Sequence, residues 1–183
     1  MPVFYALMIF AFLMMACSTL NLFIPNFVTG LDFSLEQASY AAAAVMTGVC
    51  IGKLVLGHIN DRNCLCGVLV TTLAGAGGLL MLIGGAAGIW IIIGGAFLFG
   101  WAYAGVTVQT AMLTRTVFGN LNYARINAII SMALAAGGAL ASGGWGLIVD
   151  GTSYRFIFTI GIAMLLVCTV IGVAALRKRY PGQ

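Results

Sequence analysis

Ionised side chains are scarce in this sequence: eight basic and four acidic residues amount to 7% of 183. Soluble domains carry about 25%, so there is too little charge here to cover a water-soluble globule. Disorder is excluded by the opposite excess, since 62% of the residues are hydrophobic and the mean hydropathy is +1.12, whereas disordered chains are polar. Histidine is limited to His58. With Cys64 and Cys66 as its only soft neighbours, that residue does not complete a zinc site, and neither metal nor cofactor is expected. His58 also stands outside the deep part of any apolar run, which removes the serine–histidine pair of an intramembrane hydrolase. The chain is not read as an enzyme. Most basic residues stand singly rather than in patches interleaved with aromatics, so nucleic acid is not an expected partner. Cys17, Cys50 and Cys168 fall within apolar runs as small apolar residues, and Cys64 and Cys66 are expected to stay reduced.

What the sequence has in abundance is long uncharged runs. They extend from Met1 to Leu31, Gln37 to Gly52, Asn63 to Thr114, Ile126 to Val149 and Phe156 to Leu176. A bilayer core needs about 20 helical residues, so the 52-residue run from Asn63 is two spans, turning at the glycine-rich Gly84–Gly88. The run from Gln37 reaches spanning length if the helix continues past Lys53 to Ile59, with the lysine snorkelling to the interface. Six transmembrane helices follow, near 3–29, 35–59, 66–84, 88–115, 123–149 and 153–176, in one all-α integral membrane domain over 1–183. Alternation at period two is absent, so a β-barrel is excluded. Pro25 is expected to kink or end the first helix. Ser34 and Gln37 have capping-box spacing at the start of the second, where Glu36 suits the positive helix end.

The basic residues set orientation. With the first turn outside, Lys53, Arg62, Arg115, Arg125, Arg177, Lys178 and Arg179 fall inside and only Arg155 outside. A cell-membrane protein with both termini in the cytoplasm is expected, and the first helix is too long and lacks the basic flank of a cleaved signal. The triplets of helices also echo each other. Gly57 and Asp61 close the second helix as Gly146 and Asp150 close the fifth, 89 positions later; the same offset relates Ala44 to Ala133, Gly48 to Gly137 and Phe10 to Phe99. Three spans is an odd number, so the second triplet enters from the opposite side and the fold is a 3+3 inverted repeat.

The segment from Gly52 to Arg62 resembles the loop signature of the major facilitator superfamily, whose core of Gly, three residues, Asp and a basic residue is here Gly57, Asp61 and Arg62. Cys64, Leu65 and Cys66 replace the glycine and basic pair that usually follow. Phe118–Tyr123 and Asp150–Tyr154 resemble the second half of the oxalate/formate antiporter and monocarboxylate carrier branch. The resemblance implies secondary transport of a small solute by alternating access, and it implies a second six-helix half, as a separate chain or a homodimer partner. Starting at what resembles the seventh helix, the chain reads as a truncated product, half of a split carrier, or a homodimerising half. A non-transporting assembly module is the other reading of the same spans.

Site residues follow partly from spacing. Tyr103, Thr107, Thr110 and Thr114 form one polar stripe along the fourth helix, and the 89-residue offset carries Thr107 and Thr110 back to Ser18 and Asn21. In the family the first and fourth helices of each half line the cavity, so Ser18, Asn21, Tyr103, Thr107 and Thr110 are the candidate solute contacts; backbone capping is the alternative. Asp61 at a helix end is expected to find a cation or a helix N-terminus, and Arg115 and Arg125 are the reachable cations for a latch with Gly57, Asp61 and Arg62; solvated turn residues, with Arg62 setting topology, are the alternative. Gly48 and Gly52, and Gly138, Ser142 and Gly146, have small-residue spacing for close helix packing. Lys53 either snorkels or reaches a low-lying cavity; because carboxylate carriers of the resembled branch place a cation deep in the second or fifth helix, an anionic solute is disfavoured, and a neutral or cationic solute or loss of activity fits equally well.

Overall fold

The computed structural model describes residues 2–85, 88–119 and 123–177, and every regular element among them is helical. Ala86 and Ala87 of the expected turn, Asn120–Asn122, Lys178 and Arg179 lie outside the described residues. The helices are α1 (Pro2–Ser18), α2 (Ile24–Thr29), α3 (Leu35–Arg62), α4 (Cys64–Ile83), α5 (Ile89–Phe118), α6 (Tyr123–Gly151) and α7 (Tyr154–Arg177), with a 3-10 segment at Thr19–Phe23 between α1 and α2. Six spans of 20 to 30 residues result, with α1, the 3-10 segment and α2 forming the first. This is a multi-pass membrane protein.

Helix starts follow the sequence closely. Gln37 N–H donates to Ser34 Oγ at 3.2 Å, and Ser34 N–H to Gln37 Oε1 at 3.0 Å, which closes the capping box of α3. The expected limits are missed most at the ends of α3 and α5, each three residues longer than expected, and inside the first span. α3 continues through Arg62 and stops only at Asn63, whose extended backbone ends α3 and whose side chain accepts Leu65 N–H at 2.9 Å to begin α4. The first span is not continuous from 3 to 29. It breaks at Thr19, six residues before Pro25, and Pro25 itself sits in the opening turn of α2, where its missing N–H is not needed.

The spans pack in pairs: the first on the fifth, the second on the fourth, the third on the sixth, with the third also against the fourth and the first against the sixth. Exchanging spans 1, 2 and 3 for 4, 5 and 6 turns this set of pairs into itself. That is the pseudo-twofold of a 3+3 inverted repeat. The repeat is also marked by two glycines 89 positions apart, Gly48 and Gly137. A Cβ at Gly48 of α3 would run into the Phe97 carbonyl oxygen of α5, and one at Gly137 of α6 would stand 2.5 Å from the Phe12 carbonyl oxygen of α1. Close backbone approach at these two equivalent points supplies the dispersion contact that holds helices in lipid, where no hydrophobic drive exists between them. α3 and α6 show the most surface, while α1, α4 and α5 form the centre around Phe10, Phe99 and Phe158.

A candidate solute-binding face

Arg62, Arg115, Arg125 and Arg177 lie at one end of the spans, and Asp32, Glu36, Asp150 and Arg155 at the other. Between these ends the polar stripe of α5 changes character along its length. Tyr103 is half-buried and Thr107 exposed, with its hydroxyl 3.4 Å from the Ala104 carbonyl. Thr110 is 4% exposed and its hydroxyl has no partner among the described residues, and Thr114 is fully buried, donating to the Thr110 carbonyl at 2.8 Å. Beyond this buried end of the stripe α1 and α5 meet, where Phe4 packs edge-on against Phe118 with ring centroids 6.3 Å apart. Asn21 is half-buried on the 3-10 segment, but Ser18 is buried and donates to the Met15 carbonyl at 2.7 Å. Of the five candidates, Asn21, Tyr103 and Thr107 therefore reach the surface, while Ser18 and Thr110 point into the bundle.

At the basic end, Asp61 and Arg62 are exposed at the tip of α3, as are Arg115 on α5 and Arg125 on α6. Asp61 forms no ion pair among the described residues, and Arg115 is engaged. The tip of α3 is nonetheless beside α5: a crevice of about 280 Å³ is lined by Arg62, Asn63, Cys64, Leu65, Thr116 and Leu176. Gly57 is half-buried, with nothing within 4 Å of where its Cβ would be.

The glycine motifs divide in the same way. Gly48 and Gly52 face α5, where a Cβ on Gly52 would stand 3.0 Å from Ala104 Cβ. On α6, Gly138 meets the Met15 side chain, but Ser142 is exposed and Gly146 has no neighbour within 4 Å of a Cβ. The face of α6 that meets α1 is one residue round the helix. It carries Gly137 and Trp145, because the Trp145 indole N–H donates to the Ala16 carbonyl at 2.8 Å and fixes the rotation of α6.

The Major Facilitator Superfamily model matches residues 6–183. The chain belongs to the major facilitator superfamily. It is a membrane transporter, and its six spans are one half of the superfamily fold. No curated protein and no solved structure matches it.

In this superfamily member several polar residues with structural weight were not singled out by spacing. Asn60 is 4% exposed, neither atom of its amide has a partner among the described residues, and it presses on Gly67 of α4. Gln109 is fully buried; its Nε2 donates to the Cys64 carbonyl at 3.3 Å, and its Oε1 is unpartnered among the described residues. Trp101 Nε1 is likewise buried without a partner there. For Gln109 and Trp101 the only sequence signal is a single amide or indole inside an apolar run, outside the hydroxyl stripe; Asn60 stands beside Asp61 in the signature segment. Lys53 is exposed on α3, and with α3 extending to Arg62 it stands nine residues from the helix end.

Proposed function

We propose that this chain carries a small organic anion by alternating access, as one six-helix half of a plasma-membrane carrier with both termini in the cytoplasm. A second half, separate or a second copy, completes the cavity. Asn21, Tyr103 and Thr107 supply hydrogen bonds to the solute oxygens, and Lys53 supplies the countercharge. The observation that carries this reading is the depth of Lys53. Nine residues at 1.5 Å each put it about 13 Å inside the Arg62 end, deeper than the two turns counted to Ile59 in the sequence. An exposed ammonium at that depth is costly against hydrocarbon and is stable in a water-filled cavity. The Asp61–Arg62 tip acts as the latch, pairing with the Arg115 or Arg125 end when the inner side closes.

Uptake of labelled mono- and dicarboxylates into liposomes tests the proposal, with the chain alone and with a second six-helix half. Carboxylate uptake that survives in Lys53→Arg and is lost in Lys53→Met is the expected result. Uptake of a neutral solute untouched by Lys53→Met would replace the anion, and stable assembly with no uptake of any solute would favour the non-transporting module.

A further inference from the structure

The first span breaks where two neighbouring hydroxyls and one indole converge on its backbone. Ser18 Oγ donates to the Met15 carbonyl and Thr19 Oγ1 to the Ala16 carbonyl, each at 2.7 Å. The Ala16 oxygen also accepts the indole N–H of Trp145, from a helix 129 positions later in the chain. A carbonyl oxygen has two lone pairs. Both are taken here by side chains, whereas an α-helix needs the same oxygen for the Leu20 amide. From Thr19 to Phe23 the chain runs instead as a 3-10 helix, in which each amide reaches one residue less far back. Trp145 is 6% exposed. Gly137, two turns earlier on the same face of α6, sits against Phe12, one turn before Ala16. The indole therefore comes to the break from a helix held against α1 at Gly137, and Asn21 stands in the middle of the 3-10 segment.

We propose that Trp145 is a positioning residue: its indole N–H holds the break in the first span and thereby sets where Asn21 stands on the open face. The inference rests on the reading of Asn21 as a solute contact. Three residues per turn instead of 3.6 advance the chain by about 20° more per residue. If the span stayed α-helical, Asn21, the third residue of the segment, would be turned by about 60° from its present direction. Gly137 and Trp145 thus divide the work on α6, the first setting distance and the second choosing the helix type opposite.

The test is maleimide labelling of Asn21→Cys in liposomes with and without Trp145→Phe, which keeps an aromatic ring and removes the donor. Mass spectrometry reads residue 21 against the exposed native Cys66, near the start of α4, as internal reference. Losing one buried hydrogen bond predicts a change of about fivefold in the labelling ratio. An unchanged ratio overturns the proposal. If Trp145→Phe does not fold, the native hydrogen bond is read directly at the carbonyl it is made to. In the unsubstituted chain, an isotope-labelled Ala16 carbonyl should absorb at lower frequency than a labelled Ala11 carbonyl, and equal frequencies also overturn it. Labelling that shifts while Asn21→Ala leaves transport intact keeps the Trp145 pin and removes Asn21 from the solute site, so the two failures are distinguishable.

Discussion

Gly48 lies so close to the Phe97 carbonyl oxygen that no side chain fits between α3 and α5 at that point. Gly48→Ala must push two backbones apart and is expected to destabilise by about 1–3 kcal/mol. Gly137→Ala, the twin position on α6 against Phe12, should cost a similar amount. Gly146→Ala, with open space around it, should stay within about 0.5 kcal/mol. Thermal unfolding in one detergent across the three variants checks the ranking, and equal effects would remove the pseudo-twofold packing argument.

Thr107 and Thr110 separate recognition from structure on one helix. Thr107→Val should weaken solute binding and leave the melting temperature unchanged, because its hydroxyl is exposed and only loosely held by Ala104. Thr110→Val should leave binding unchanged and be neutral or stabilising, since a buried hydroxyl without a partner is costly. Solute-induced shifts in melting temperature measure both at once.

Asn60→Leu replaces an amide whose two polar atoms are buried and unpartnered among the described residues. Removing both unmet groups while keeping the branched shape against Gly67 is expected to stabilise by about 1–2 kcal/mol. Resistance to chemical denaturation in mixed micelles is the measurement, and destabilisation would mean that the amide has a partner of its own.

Asp61→Asn acts on an exposed residue and should change stability by less than about 0.5 kcal/mol. Its expected effect is on turnover, through loss of the closed-state pairing. The comparison is counterflow, which needs only exchange across the barrier, with net efflux, which needs the full cycle. A variant matching the unsubstituted chain in both would retire the latch.

The number of spans and most of their limits were legible because uncharged runs and a capping box follow one-dimensional rules. Ser34 and Gln37 announce α3 from spacing alone. The break at Thr19–Phe23 was not legible: Pro25 carries the strongest local signal, but the deciding donor is Trp145, far along the chain. Ser18 and Thr110 were placed with the solute contacts by periodicity, which gives the face of a helix but not the neighbour that covers it. Likewise Gly138, Ser142 and Gly146 share one face of α6, yet the indole N–H chose the adjacent face for α1. Lys53 looked shallow because the end of α3 was set at Ile59 rather than at Asn63.

Asn63 is the whole connection between α3 and α4, ending one and capping the other. One extended residue spans only about 3.5 Å, so the joint is an elbow with no slack. Any tilt of the α3 tip must be transmitted to the start of α4, and relative sliding between these two rods is confined to their far ends.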